Sequence, residues 1–99
     1  MTPEQRKEKP PIYRGVINQF PRAIEAIAKV SLFGAKKYNN GDIRFDHTKS
    51  PHHRDCEFRH AISIAKGEDY DQESGEPHLA HKAWRACADL ELWLLKQEK

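Results

Sequence analysis

From residue 77 onward the sequence repeats apolar side chains at helical spacing. Leu79, Ala80, Ala83, Ala86, Cys87, Leu90, Trp93 and Leu94 recur at intervals that keep them on one side of a helix. Pro77 suits the first turn, where a missing backbone donor costs nothing, so the helix is expected to start there and to run to about Gln97. Leu92 and Leu95 widen the apolar face toward the C-terminal end, which calls for cover on more than one side.

Two earlier segments carry the same period. Pro21 opens a helix in which Ile24, Ile27, Ala28 and Val30 lead to Phe33, and the turn signal Asn39, Asn40, Gly41 closes it near Lys37 or Tyr38. Another helix is expected to begin near Pro51 or His52 with Ser50 as its cap, to present Phe58, Ala61, Ile62 and Ala65 as its apolar stripe, and to stop at Gly67. Between them, residues 39–52 form a long polar connection anchored only by Ile43 and Phe45, and loops of that length in small domains usually serve a function or move. Residues 1–11 read as an extended or disordered lead. Residues 12–20, β-branched and aromatic, read as a short extended piece broken at Gly15.

The expected class is therefore all-α: a small helical bundle of about three main helices per chain. Residues 1–19 are taken as a polar lead and 20–99 as the helical domain. With 99 residues and 37% hydrophobic content the chain makes one small domain. So short a chain buries little of its own surface, so completion of the bundle by oligomerisation is expected.

Seventeen Lys and Arg against 15 Asp and Glu leave a net charge of +2, too small to suggest nucleic acid or a membrane surface as partner. The nearest basic cluster, Arg6, Lys7 and Lys9, is interleaved with Glu4 and Glu8 and reads as a solvated tail. Cys56 and Cys87, both in helical segments, suit reduced core thiols better than a disulfide. No apolar run approaches the ~20 residues that cross a bilayer, and no hydrophobic signal core is present, so a cytoplasmic location is expected.

The chemistry concentrates in residues 67–83, GEDYDQESGEPHLAHKA. The carboxylates Glu68, Asp69, Asp71 and Glu73 do not make a calcium loop: the glycine falls one place late, at Gly75, and Ala80 stands where the bidentate glutamate belongs. A solvated turn is the default reading of such a run. The alternative is a carboxylate cluster sharing Mg²⁺ or Mn²⁺ with nearby ligands or a bound phosphate. His78 and His81, three apart on a helix, project to one side, and Arg85 and Asp89 extend that polar stripe. His60 lies at the edge of the buried face of its own helix, beside Arg59, and Lys36, Lys37 and Tyr38 close the first helix as a candidate phosphate grip. The chain has no glycine-rich phosphate loop, nucleophile elbow or cysteine nucleophile pairing, so any catalysis is expected to be metal-assisted attack by water.

FGAKKY at 33–38 followed by RHAISIAKGEDYDQESGEPHLAHKAW at 59–84 resembles the phage and bacterial dATP/dGTP diphosphohydrolases, relatives of the MazG-like nucleotide pyrophosphohydrolases. The resemblance spans roughly residues 20–95. It implies a helical fold assembled as a homo-oligomer, dimer or higher, in the cytoplasm, which is the host's if the chain is phage-encoded. It also implies purine deoxynucleoside triphosphates as substrates and Mg²⁺ or Mn²⁺ as cofactor. On the matching positions, side-chain chemistry assigns Glu68 and His60 to catalysis and Asp71, Glu73, His78 and His81 to the metal. Lys36, Lys37, Tyr38 and Arg59, joined by Arg85, are assigned to the substrate.

The sequence departs from MazG-like enzymes at the acidic pairs, because Glu25 is followed by Ala28 and Asp55 by Phe58. Lys82 and Arg85 add cations where a small residue and Asn are expected, which favours binding of polyanions. A non-catalytic nucleotide-binding protein on the same scaffold, sequestering a nucleotide signal, is the alternative expectation, and a helical interaction module ranks third.

Overall fold

A computed structural model describes residues 2–98, with the side chains of Arg6 and Lys7, from the basic stretch weighed above, outside the description. The elements are α1 (Pro3–Lys7), a π-helical turn (Tyr13–Ile17), α2 (Pro21–Tyr38), α3 (His53–Ala65) and α4 (His78–Gln97). The class is all-α, and three long helices carry it. Two expectations for the N-terminal lead are corrected. Part of residues 1–11 is helical, and residues 12–20 are not extended: Gly15 N–H donates to Pro11 O at 2.6 Å and Asn18 N–H to Tyr13 O at 2.7 Å, so the backbone groups are satisfied locally rather than by a neighbouring strand.

The helix ends follow from local chemistry. Pro21 sits in the first turn of α2. At the end of α3, Gly67 takes φ 88°. Its N–H reaches Ile64 O at 2.9 Å and that of Glu68 reaches Ser63 O at 3.0 Å. This pair of bonds is a Schellman motif, which needs the left-handed residue that glycine supplies. The start of α3 differs from expectation: the cap position is His52, with no side-chain cap bond, and Ser50 Oγ instead accepts from His52 N–H at 3.2 Å. Pro77 is the residue before α4 rather than its first.

α4 packs against α2 and, more extensively, against α3. Cross-contacts pair Arg54 with Asp89, His53 with Arg85, Glu57 with Lys82 and His60 with His78. Partners advance along α3 as they retreat along α4, so the two helices run antiparallel. The face of α3 that meets α4 is thus His53, Glu57 and His60, with Arg54 at its rim, rotated away from the expected apolar stripe. Phe58 is 54% exposed and Ile62 56%. On α4, Leu79, Leu90, Trp93 and Leu94 also point outward, and Cys87 is exposed rather than a core thiol. Among the described residues the buried apolar side chains are small: Val30, Ala35, Ala80 and Ala88. The radius of gyration, 15.9 Å, exceeds the ~13 Å of a compact 100-residue domain.

Candidate functional site

The segment between α3 and α4 is folded back by its own backbone. Asp71 N–H donates to Glu76 O at 2.9 Å, Gly75 N–H to Asp71 O at 2.8 Å and His78 N–H to Asp69 O at 2.8 Å, while Tyr70 and Pro77 form an isolated bridge. Gly75 makes the tight turn with φ 74°, a conformation that side chains disfavour. The turn brings Asp71 and Ser74 over the first turn of α4, where His78 and His81 are 6% and 8% exposed.

A compact polar cluster results. His60 Nδ1 and His78 Nδ1 are 2.8 Å apart, so one ring supplies the proton that the other accepts. His60 stacks on His81 with centroids 4.7 Å apart and planes 12° from parallel, and Phe33 meets His81 edge-on at 6.1 Å. Ser74 Oγ lies 2.6 Å from His81 Nε2, accepts from Glu76 N–H at 3.1 Å, and its residue's N–H donates to Asp71 Oδ2 at 2.8 Å. Asp71 Oδ2 is 3.8 Å from the same His81 Nε2. Serine and aspartate therefore approach one nitrogen, whereas a nucleophilic triad needs them on opposite nitrogens.

Burial, then the neighbouring His81 and His78, pushes the His60 pKa down to about 4. Burial also lowers that of His81, against the pull of Asp71. Burial pulls Asp71 upward, but the bonds from Ser74 and the nearby His81 outweigh it and hold the carboxyl below its usual range. The cluster at neutral pH is thus an ionised carboxylate beside uncharged His60 and His81 rings.

These side chains form one wall of a cleft of about 600 Å³, within the ~300–1,000 Å³ of small-molecule sites. Of the residues singled out from sequence, Lys37, Tyr38, His60, Asp71, Glu73, His81 and Arg85 line it. His78 backs it through His60. Lys36, Arg59 and Glu68 are exposed and do not line it, and Arg59 Nη2 instead reaches Cys56 Sγ at 3.1 Å. Lys37 is bound to Glu73, which raises its pKa to about 12, and its ammonium sits 4.9 Å from the Tyr38 ring centroid. Lys82, by contrast, spans the helix pair to Glu57 at 3.4 Å.

A second group that lines the cleft was not expected. Phe45, His53 and Trp84 form an aromatic group with centroids 5.6 to 5.8 Å apart, the Arg85 guanidinium lies 5.4 Å from the Trp84 centroid, and Arg44 and Lys49 also line the cleft. The length of the 39–52 connection and its single aromatic anchor, Phe45, were the available signals. Among the described residues no three His, Cys, Asp or Glu side chains are arranged to hold a metal ion. Asp71 and Glu73 both reach the cleft, but Lys37 engages Glu73, and His78 Nδ1 faces His60.

A family model described as dATP/dGTP diphosphohydrolase, N-terminal, matches residues 2–99. The chain belongs to this family. The match covers the polar lead as well as the helical part. No curated protein and no solved structure matches the chain. Among the described residues no helix is long and apolar enough to cross a membrane.

Proposed function

We propose that the cleft binds purine deoxynucleoside triphosphates and hydrolyses a phosphoanhydride bond. The observation that carries this reading is the joining of two chemistries in one cleft: uncharged imidazoles with a carboxylate, and aromatic rings with cations. Lys37, Arg44, Lys49 and Arg85 supply the positive charge that a triphosphate needs. His60 is the group placed to accept a proton from attacking water. Its Nδ1 is engaged by His78, and no hydrogen bond among the described residues occupies its Nε2. Its basicity is low in the free protein, and the negative charge of a bound phosphate chain raises it. Ser74 and Asp71 fix His81, which fixes the stacked His60 ring.

Mg²⁺ or Mn²⁺ belongs to this reading as the counter-ion carried in on the triphosphate, which is how magnesium is usually bound when few protein carboxylates converge. Asp71 and Glu73 are the carboxylates singled out from sequence that it would meet. Incubation of the protein with each of the four deoxynucleoside triphosphates, with Mg²⁺, with Mn²⁺ and with chelator, followed by separation of products, tests the reading. Consumption of dATP and dGTP is expected. Absence of phosphate or diphosphate release from every nucleotide would overturn it.

The homo-oligomer is inferred from the outward stripes of α3 and α4. Phe58, Ile62, Leu79, Leu90, Trp93 and Leu94 are each 44% to 67% exposed in a chain whose buried apolar residues are small, and a second copy gives them the cover that a core would.

A further inference from the structure

The aromatic group holds a hydrogen-bonding atom that nothing else among the described residues uses. His53 is 4% exposed, and its Nε2 is buried with no partner among the described residues. Its other nitrogen, Nδ1, lies 2.8 Å from Arg85 Nη1. A guanidinium can only donate, so Nδ1 accepts, and a neutral ring must then carry its hydrogen on Nε2. Burial, and secondly the Arg85 charge, keep that ring neutral by lowering its pKa. The orphan is therefore a donor, and its tautomer is set by a neighbour. Buried polar groups in folded proteins are nearly always paired, which marks this one as awaiting an acceptor from outside the chain.

We propose that His53 Nε2 donates to N7 of a purine base that lies against Trp84, with the nucleotide's phosphates directed toward Lys37 and His60. This rests on the nucleotide reading of the cleft and adds the residue that selects the base. Adenine and guanine are opposite in hydrogen-bonding sense at position 6 and at N1, so a site accepting both must use what they share. The shared ring acceptors are N3 and N7. Pyrimidines present O2 in a place comparable to N3, whereas N7 has no pyrimidine counterpart, so a single donor separates purines from pyrimidines only at N7. Stacking on Trp84 cannot make that distinction, because every base offers a π-face.

Because Nε2 is buried, a neighbour must yield for the base to reach it, and Phe45 is the neighbour on the least regular segment. Its ring is 5.6 Å from that of His53, and it is carried by the connection between α2 and α3, which contains turns but no helix or strand. Both rings line the cleft, so a shift of Phe45 is the movement the proposal asks for.

Equilibrium binding and turnover of dATP and dGTP against 7-deaza-dATP and 7-deaza-dGTP test the assignment on the unaltered protein. The deaza analogues keep shape and stacking and lose only the acceptor. The natural purines are expected to bind about 10-fold or more tightly than their 7-deaza forms, the effect of one hydrogen bond to a site built for it. In His53→Ala the two forms should bind alike, and His53→Gln, which keeps an N–H donor, should restore part of the difference. Equal binding of natural and 7-deaza purines by the parent would remove the His53 assignment and leave the hydrolase reading standing. Failure of the parent to bind any nucleotide would overturn both.

Discussion

The faces by which α3 and α4 meet carry imidazoles, ion pairs and alanines, while the exposed faces of the same helices carry phenylalanine, isoleucine, leucine and tryptophan. His78 is 6% exposed where its neighbour Leu79 is 67% exposed, and His60 is half-buried two residues from Ile62, which is 56% exposed. A self-sufficient bundle does the reverse, since burying an aliphatic side chain contributes ~1.5–3 kcal/mol and a polar one costs unless it is bonded. The chain spends its interior on a site whose polar atoms largely partner one another, and it leaves much of its apolar area exposed. The inward and outward faces are thus expected to fail differently when altered.

The largest effect belongs to the inward face. His60→Gln is expected to lower kcat by about 10²- to 10⁴-fold, the range of a general base, with dATP binding kept within a few-fold. Ile62→Ala, one turn-side away, should change turnover little in the assembled protein. Equal losses of kcat in the two variants, measured by product release at saturating nucleotide, would erase the distinction between the faces.

Next in size is the outward face. A charge in place of a buried interface anchor costs ~2 kcal/mol or more, so Ile62→Glu together with Trp93→Glu should shift the mass measured by light scattering from oligomer to single chain and lower the Tm. A parent protein that runs as a monomer at every concentration, with the same Tm as the double variant, would show that these stripes need no cover.

The same division explains what could be read from the sequence. α2 and α4 were legible because proline starts and helical periods mark them, and the end of α3 because Gly67 stops it. The facing of α3 was not: Phe58, Ile62 and Ala65 of the expected stripe lie exposed, and a period alone does not say which neighbour, if any, a face meets. For the site, the histidine pair and Asp71 were legible because their spacing is local. His53 and Trp84 were not, because nothing local links positions 31 residues apart until the antiparallel pairing of α3 and α4 brings the rings within 5.8 Å. Ser74 was hidden within the same motif as a turn residue, and its part emerges only when Gly75 folds it back onto His81. The N-terminal piece was misread because β-branched composition marks strand preference, and no neighbouring strand exists among the described residues to realise it.

A smaller, graded effect separates the faces by pH. The His60 pKa is about 4 in the fold against 6.5 in the unfolded chain, and those of His53 and His81 are lowered as well. Between those two values the unfolded chain binds protons that the fold refuses, so stability rises with pH there. It is fully present above about pH 6.5 and is lost as pH falls toward about 4, while the lowered Asp71 adds its own loss only below its ordinary value of 3.8. Tm measured at steps from about pH 7.5 to pH 4.5 should therefore fall steadily, and His60→Gln should flatten that slope where Ile62→Ala does not. A parent Tm independent of pH across that window would mean that the imidazoles are not held uncharged.

The smallest effect is expected at the rim of the inward face, where Arg54 Nε donates to Asp89 Oδ2 at 2.8 Å. The geometry is good, but the Arg54 side chain is 66% exposed and that of Asp89 is 29% exposed. Water and salt screen such a pair, and exposed ion pairs contribute ~0.2–1 kcal/mol. A double-mutant cycle with Arg54→Ala and Asp89→Ala, followed by denaturant unfolding, should return a coupling below about 1 kcal/mol that shrinks further in high salt. The result bears on what holds α3 and α4 in register. A weak coupling leaves that task to the part-buried contacts of His53 with Arg85 and His60 with His78, which water screens less than the rim pair. A coupling several times larger would instead make the rim pair a determinant of the register, and the histidines would then be passengers of a packing set at its edge.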